Sequence, residues 1–188
     1  MNGSLDRGRI IELFDELSKE LRFSRTRAQI YIIGGAAMSL AFSRDRRTED
    51  VDARIDKGHY RLTAAVRTVG RRHGLPDTWV NDEATTAIPR ATDVRASVVY
   101  ESPYLTVTGA SAKHLLAMKL LAAREKDRGD IAVLCEQLKL KEPKDAIRIY
   151  EELFPDEKVK TRARQLLDSA FRTRTPEHGR GRELDIER

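Results

Sequence analysis

What this sequence lacks already excludes several classes of protein. Its single cysteine, Cys135, rules out an internal disulfide. No apolar run reaches the length of about 18 residues that a transmembrane helix needs. The first ten residues carry charge and contain no apolar core of the kind that a signal peptide has. We therefore expect a cytoplasmic protein that does not engage a membrane. A hydrophobic core rather than disulfides should stabilise it.

Common metal and catalytic motifs are missing as well. No two histidines, and no histidine with Cys135, have the spacing of zinc ligands. The histidines concerned are His59, His73, His114 and His178. There is no Gly-x-Ser-x-Gly motif and no phosphate-binding P-loop. The sequence thus gives no indication of a zinc site, of a serine hydrolase or of a P-loop nucleotidase.

Charge, in contrast, is abundant. Charged residues make up 35% of the 188 residues, and the net charge is +5 with an isoelectric point near 9.4. An excess of positive charge favours an anionic partner such as RNA. The length suffices for one domain, or for a small core with a helical appendage.

One stretch, residues 31–56, carries the most specific pattern. It opens with an apolar run that ends in Gly34-Gly35, continues with small and apolar residues over 36–42, and ends in Thr48-Glu49-Asp50-Val51-Asp52. This order predicts a strand, a glycine turn, a helix, a loop and a second strand over 49–55.

The two aspartates of this stretch are the first candidate site. Asp50 and Asp52 are two residues apart, so in a strand both carboxylates point to the same face, where they repel each other. Mg²⁺ compensates such a pair, binding one or two carboxylates together with substrate phosphates. Gly34 and Gly35 let backbone amides approach phosphates, and the following helix offers its positive N-terminus. The alternative is a tight turn followed by the solvent face of an edge strand.

The combination of the double glycine with the Asp-x-Asp pair resembles the nucleotidyltransferase superfamily that shares the DNA polymerase beta core. Ala36 follows the glycines here, so no serine hydroxyl stands in the turn. The run from Arg46 to Asp52 is most similar to the toxins of AbiE-type toxin–antitoxin systems, which include the MenT toxins. The resemblance implies transfer of nucleotides from NTP to RNA, namely the tRNA 3′ end, which would block translation. It also implies Mg²⁺ on Asp50 and Asp52, and a cognate antitoxin protein.

Two residues just before the aspartates are further candidates. Arg47 can neutralise a phosphate, and Thr48 can hydrogen-bond one, so we assign both to nucleotide binding. By strand alternation Thr48 shares the face of the aspartates. We therefore expect that a phosphate or nucleotide placed on Thr48 would block the site, because its charge competes for the same metal and lysine.

A second cluster of charged residues interrupts an apolar helical pattern. Lys119 lies between Met118 and Leu120, and a charged break leads to Asp130, where we expect the next helix to begin. The resemblance implies that Lys119 binds the triphosphate, and that Asp130 holds Lys119 or acts as a base on the acceptor hydroxyl. Asp127 is a rival that we rank below Asp130. The alternatives are a surface lysine and a plain helix N-cap.

Beyond residue 110 the apolar residues recur at helical spacing, and residues 172–188 are almost without them. We predict an α+β fold in which helices flank a small mixed sheet, the nucleotidyltransferase core, followed by a C-terminal helical bundle. The expected divisions are the core over 1–110, the helical region over 111–171 and a flexible charged tail over 172–188. Asp93, at the start of a predicted strand, is the candidate for a third metal-facing carboxylate.

The expected activity is therefore that of a Mg²⁺-dependent nucleotidyltransferase, with Asp50, Asp52, Lys119 and Asp130 as catalytic residues. Two alternatives stay open at this point. The acceptor can be a small molecule or a protein side chain. The chain can also be a non-catalytic RNA-binding or antitoxin-like module that keeps the fold.

Overall fold

The computed structural model describes residues 4–42 and 45–174 and has an α+β fold, which confirms the predicted class. The helices are α1 (Arg7–Phe23), α2 (Gly34–Ala41), α3 (His59–Arg72), α4 (Ala112–Ala122), α5 (Arg128–Gln137), α6 (Pro143–Leu153) and α7 (Thr161–Arg174). The strands are β1 (Ala28–Ile32), β2 (Val51–Lys57), β3 (Val80–Asn81), β4 (Ser97–Glu101) and β5 (Leu105–Gly109). Two 3₁₀ turns cover Glu83–Ala87 and Glu125–Asp127. Within the described part of the chain, no helix combines the length and the apolar character needed to cross a bilayer.

The five strands form one mixed sheet in the order β3-β2-β1-β5-β4. β1 runs antiparallel to β2 and parallel to β5, and β2 is parallel to β3. The parallel pair β2–β3 is joined through α3, as a parallel connection requires a crossover. β4 and β5 form an antiparallel hairpin around the turn that contains Ser102 and Pro103. The end of β1 therefore lies beside the start of β2.

Alternation along the strands gives the sheet an apolar face and a polar face. Buried side chains alternate along β5 and the first half of β2, whereas in β1 Tyr31 is buried as well. The inward residues form one core with α1, α2 and α3: Ile30, Ile32, Val51, Ala53, Leu105 and Val107. The intervening residues of β2 and β5 are half-buried or exposed, and they include Asp52 and Arg54. Asp52 consequently lies at the start of β2 on the polar face.

The part beyond β5 is helical throughout its described length. α4 packs against α5 and α6, and α7 packs against α5 and α6. Cys135 is fully buried within α5 and belongs to the same hydrophobic cluster as the sheet. The division at residue 110 stays a prediction.

Several element boundaries differ from those expected, among them the end of the last helix and the start of the second strand. α7 continues to Arg174, three residues into the segment assigned to the tail. The rest of that segment, residues 175–188, lies outside the described residues. The second strand begins at Val51 rather than at residue 49, so Asp50 precedes the strand instead of lying within it.

Candidate active site

The candidate residues meet where three strands end or begin. The amide of Ile33, just after β1, donates a hydrogen bond to the carbonyl of Asp52 at 3.0 Å. The amide of Ala110, just after β5, donates to the carbonyl of Ile32 at 3.0 Å. The sheet thus places the glycine turn that opens α2 and the segment that leads into α4 beside the start of β2. Because β1 and β2 are antiparallel, two motifs about 18 residues apart become neighbours.

Glycine is required at positions 34 and 35 because other side chains of the site lie directly against the backbone there. A Cβ atom on Gly34 would lie 2.7 Å from Oδ2 of Asp52, and Gly34 also has a φ of 63°. A Cβ atom on Gly35 would lie 2.5 Å from Oγ1 of Thr48. Real Cβ contacts are never this short, so any larger residue would displace Asp52 or Thr48. The Asp52 carboxylate and the Thr48 hydroxyl therefore both face the double-glycine turn.

The glycines form the first turn of α2 rather than a separate loop before it. The sequence predicted a helix over 36–42, but the helix begins at Gly34. Its N-cap residue is Ile33, whose side chain cannot accept a hydrogen bond from the first amides. Gly34 and Gly35 are only half-buried. The first amides of α2 thus have no side-chain cap, and an anionic ligand is the kind of group that satisfies them.

The Asp52 carboxylate carries a charge that its surroundings do not neutralise. No hydrogen bond or ion pair reaches it from residues 4–42 or 45–174. Burial, and next the negative charge of Asp50, raise the pKa of Asp52 to about 6. Glu83 adds to this rise, while Arg124 and Lys126 oppose it. Asp50, Glu83, Arg124 and Lys126 are therefore all close enough to act on Asp52 electrostatically.

Asp50 is held from the neighbouring strand. Asn81 pairs with Asp52 in the register of β2 and β3, and its Nδ2 donates a hydrogen bond of 3.4 Å to Oδ2 of Asp50. Asn81 also accepts a hydrogen bond from the amide of Glu83 at 3.0 Å. The short strand β3 thus positions both an amide side chain and a third carboxylate near the aspartates.

Lys119 lies in the interior and is bound by two carboxylates. Its Nζ is 2.8 Å from Oδ1 of Asp127 and 2.7 Å from Oδ2 of Asp130, and Lys119 is only 6% exposed. The alternative of a surface lysine is therefore wrong. Asp130 also contacts Nε of Arg46, 3.2 Å from its Oδ1. α5 begins at Arg128, so Asp130 lies within its first turn and does not begin the helix as expected.

These contacts indicate a positioning role for Asp130. Oδ2 contacts Nζ of Lys119 and accepts a hydrogen bond of 3.3 Å from Nε of Arg46, which also lies 3.2 Å from Oδ1. The carboxylate is thus bound by two cations and is poorly suited to take a proton from an acceptor. Arg46 belongs to the loop before Asp50, and Asp130 belongs to α5, so the pair ties the two candidate clusters together. Asp127, which we ranked below Asp130, shares Lys119 with it on equal terms.

The two candidates that precede the aspartates differ in their contacts. Arg47 is 61% exposed at its side chain, and its Nη2 lies 3.7 Å from Oδ2 of Asp6, the residue that caps α1. Its assignment to nucleotide binding stays a prediction that this contact does not favour. Thr48 pairs with Leu5 through two backbone hydrogen bonds, which fixes its hydroxyl over Gly35. Modification of Thr48 stays a prediction.

Asp93 is engaged at the start of α4. Its Oδ2 accepts hydrogen bonds of 2.8 Å from the hydroxyl of Tyr31 and from the amide of Ser111, and its Oδ1 lies 3.4 Å from Nδ1 of His114. Burial alone would raise the pKa of Asp93, but the hydrogen bonds from Ser111 and Tyr31 outweigh burial and hold that pKa below its usual value. Its role as a third metal-facing carboxylate stays a prediction that these contacts do not favour.

A metal would have two carboxylates at this site. In the described ranges no three or more histidine, cysteine or acidic side chains surround a common metal position. Asp50 and Asp52 alone fit Mg²⁺, because this ion needs only one or two carboxylates when substrate phosphates and waters complete its shell. No cation from residues 4–42 or 45–174 contacts the Asp52 carboxylate, which supports this fit.

Sequence reasoning missed Asn81, Glu83 and Lys126. Asn81 and Glu83 follow a strand of only two residues, which is too short to produce an alternating pattern. Lys126 stands in the charged break after α4, where a solvated charge is the ordinary interpretation. The sequence feature that could have indicated Lys126 is the order Arg124-x-Lys126-Asp127. In it, two cations closely precede a carboxylate that is buried in the structure.

Comparison of the chain with models of known protein families, with curated protein sequences and with solved structures gives no match. The chemistry of the site is therefore inferred from its own residues and from the motif resemblance described above.

Proposed function

We propose that this protein is a Mg²⁺-dependent nucleotidyltransferase that moves nucleotides from an NTP to RNA. The observation that carries the proposal is the Asp52 carboxylate. It lies against the uncapped first turn of α2, with Asp50 beside it and no cation bound to it within the described residues. A phosphate-binding turn next to an unneutralised acid pair suits a magnesium ion that carries a nucleoside triphosphate.

In this proposal Asp50 and Asp52 would hold Mg²⁺, which supplies neutralisation of the charge on the phosphate oxygens. The amides of Gly34 and Gly35 bind the triphosphate at the helix N-terminus. Arg124 and Lys126, which act electrostatically on Asp52, neutralise the pyrophosphate end. We assign this task to them because two carboxylates already balance Lys119. Lys119 is then a positioning residue that fixes the connection between α4 and α5.

The transfer itself is a displacement at the α-phosphorus. A lone pair of the acceptor hydroxyl oxygen forms the new bond to phosphorus. The bond from phosphorus to the bridging oxygen breaks, and its electron pair leaves with pyrophosphate. The hydroxyl proton passes to a solvent water, because Asp52 stays ionised as a ligand of Mg²⁺ in this proposal.

The choice of RNA as acceptor is supported by the net charge of +5 and by the motif resemblance. The same resemblance supports the tRNA 3′ end as the acceptor, translation as the blocked process, and a cognate antitoxin as the partner. Such a toxin would act in the cytoplasm. These finer assignments belong to the proposal.

The test is incubation of the full chain with each labelled NTP, Mg²⁺ and total tRNA. We expect label in tRNA, released by 3′ exonuclease digestion, and loss of transfer by at least about 1,000-fold in Asp52→Asn. The matched control is Asp156→Asn, which removes an exposed carboxylate from the connection between α6 and α7. Circular dichroism and thermal unfolding check that each variant keeps the fold.

The other outcomes identify the alternatives. Label in protein or in added small molecules, with none in RNA, would indicate a different acceptor. Absence of any label from all four NTPs, with RNA still bound, would overturn the enzyme assignment in favour of a non-catalytic RNA-binding module.

A further inference from the structure

Arg54 lies on the polar face of the sheet, next to the candidate site. It follows Asp52 by two residues on β2, so the two side chains point to the same face and are separated by about 7 Å along the strand. Arg54 lies opposite Tyr31 of β1, one step further from the glycine turn than Asp52. A molecule that approaches Asp52 along β2 on this face therefore passes over Arg54.

The guanidinium of Arg54 is fixed in both position and plane. Its Nε donates a hydrogen bond of 2.6 Å to Oδ1 of Asp56, and its Nη2 donates one of 3.4 Å to Oδ2. Its Cζ lies 4.8 Å from the ring centroid of Tyr31, and the Tyr31 hydroxyl is in turn anchored on Asp93 at 2.8 Å. The guanidinium thus has a buried aromatic ring on one side, while the Arg54 side chain remains 49% exposed.

A fixed, planar cation with one open side is suited to stacking a nucleobase. Bases of single-stranded RNA ends stack on aromatic rings and on arginine planes. Asp56 already balances the charge of Arg54, so neutralising a phosphate is not its main contribution. Stacking keeps this ion pair intact and uses only the open side of the guanidinium.

The direction of the transfer decides which base would stack there. In phosphoryl transfer the attacking and leaving oxygens lie roughly in line on opposite sides of the phosphorus. The leaving pyrophosphate belongs at the first turn of α2, on the glycine side of Asp52. The attacking hydroxyl then approaches from the other side of Asp52, which is the side of Arg54.

We propose that Arg54, supported by Tyr31 and Asp56, is the platform on which the 3′-terminal base of the acceptor RNA stacks. This inference rests on the proposed nucleotidyltransferase function. Arg54 is a positioning residue for the acceptor, and it leaves the binding of the NTP unchanged.

The test is a binding cycle that needs neither NTP nor transfer. The probe is a synthetic RNA hairpin that reproduces a tRNA acceptor stem, with 2-aminopurine or an abasic unit as its 3′-terminal nucleotide. We expect Arg54→Ala to weaken binding of the 2-aminopurine hairpin by about 5- to 100-fold and to abolish the quenching that stacking causes. The wild type should bind the abasic hairpin more weakly than the 2-aminopurine hairpin, by a similar factor. Arg54→Ala should bind the two hairpins equally, because the base no longer has a platform to stack on.

Arg61→Ala is the matched control. Arg61 also lies over a tyrosine ring, with Cζ 5.6 Å from the centroid of Tyr60, but it stands on α3, away from the polar face of the sheet. The Arg61→Ala protein should bind both hairpins with the affinity of the wild type. Arg54→Lys keeps the charge and removes the plane, so it should resemble Arg54→Ala and provides a second variant if alanine destabilises the fold.

Several results would overturn the inference. One is equal binding of the 2-aminopurine hairpin by the Arg54 and Arg61 variants. Another is an equal effect of the abasic end in the wild type and in Arg54→Ala. In the transfer assay, Arg54→Ala should raise KM for the acceptor and not for the NTP, and the reverse would assign the platform to the NTP base. Failure of the wild type to transfer any nucleotide would remove the proposed function, while the binding cycle would still report on Arg54.

Discussion

Two pairs of carboxylates lie in this molecule, and their surroundings differ. Asp127 and Asp130 are both buried, and Lys119 contacts each of them at less than 3 Å. Asp50 and Asp52 are half-buried, and no protein cation contacts Asp52 in the described part of the chain. The first pair is neutralised by Lys119, whereas among the described residues no cation neutralises the second pair in the same way.

This difference separates a structural acid pair from one suited to a ligand. A buried carboxylate with an internal cation contributes to the fold, and removal of its partner leaves an uncompensated charge. A carboxylate without such a cation destabilises the folded state until something positive binds. The raised pKa of Asp52, about 6, expresses that cost. The comparison therefore predicts opposite changes in the free energy of unfolding. Loss of the cation at the first pair should lower it, whereas loss of the Asp52 charge at the second pair should raise it.

The largest effect is expected when the first pair loses its cation. Lys119→Met leaves Asp127 buried without its cation and Asp130 with Arg46 alone, so the free energy of unfolding should fall by about 3–5 kcal/mol. Urea denaturation measures this loss. Lys113→Met is the control on the same helix: its partner Glu152 is 3.9 Å away and its side chain is 41% exposed, so the change should stay within about 0.5 kcal/mol. Losses of equal size in the two variants would contradict the comparison.

The next effect concerns the close approach of Asp52 to the glycine turn. Gly34→Ala forces a Cβ atom to within 2.7 Å of Asp52 at a φ of 63°, so we expect a loss of about 2–4 kcal/mol. Gly74→Ala has a φ of 65° and nothing within 4 Å, so strain alone should cost about 1 kcal/mol. Chemical denaturation of both variants separates crowding from strain.

A second substitution tests the cause of the crowding. Asp52→Ala removes the carboxylate that Gly34→Ala would meet, so Gly34→Ala should destabilise the Asp52→Ala protein less than it destabilises the wild type. Additive losses would show that the carboxylate does not lie against the turn.

The sequence predicted the main neighbours in this site because they depend on local patterns. Spacing and alternation are enough to predict a glycine pair after an apolar strand. They also predict an Asp-x-Asp pair at the start of the second strand. The antiparallel pairing of β1 and β2 then brings Asp52 beside the glycine turn. The α+β class followed in the same way from strand-like patterns before residue 110 and helical ones after it.

Other features depend on contacts that no local pattern records. Asp50 lies outside the strand because β2 pairs with β3 from Val51 onward, and β3 owes its two residues to that pairing. The equal sharing of Lys119 by Asp127 and Asp130 depends on the 3₁₀ turn before α5, which places Asp127 at the N-cap position. In both cases the tertiary contact decides the local structure, so spacing alone was insufficient.

A smaller effect of opposite sign is expected at the second pair. Asp52→Asn removes a charge that the folded state disfavours, so it should raise the free energy of unfolding by about 1–2 kcal/mol at pH 8, allowing for screening by solvent. The pKa of Asp52 rises from 3.8 to about 6 on folding, so the folded wild type binds the proton more tightly. Its stability should therefore fall as pH rises from about 4 to about 6 and level off above.

Denaturation of the wild type and of Asp52→Asn across this pH range measures the effect. The difference between the two should be small at pH 4 and reach its full size above pH 6. A variant less stable than the wild type at pH 8 would mean that the Asp52 charge is compensated within the protein.

The smallest effect is that of Mg²⁺ without nucleotide. Binding to the folded state alone should stabilise the wild type by about 0.4–1.4 kcal/mol when Mg²⁺ is present at one to ten times its Kd. Asp52→Asn should lose this response, because it removes a ligand from the second pair. Asp127→Asn should keep it, because its carboxylate serves Lys119 rather than a metal. Thermal unfolding of the three proteins with and without Mg²⁺ measures the response. A response that persists in Asp52→Asn and is lost in Asp127→Asn would assign Mg²⁺ binding to the first pair instead of the second.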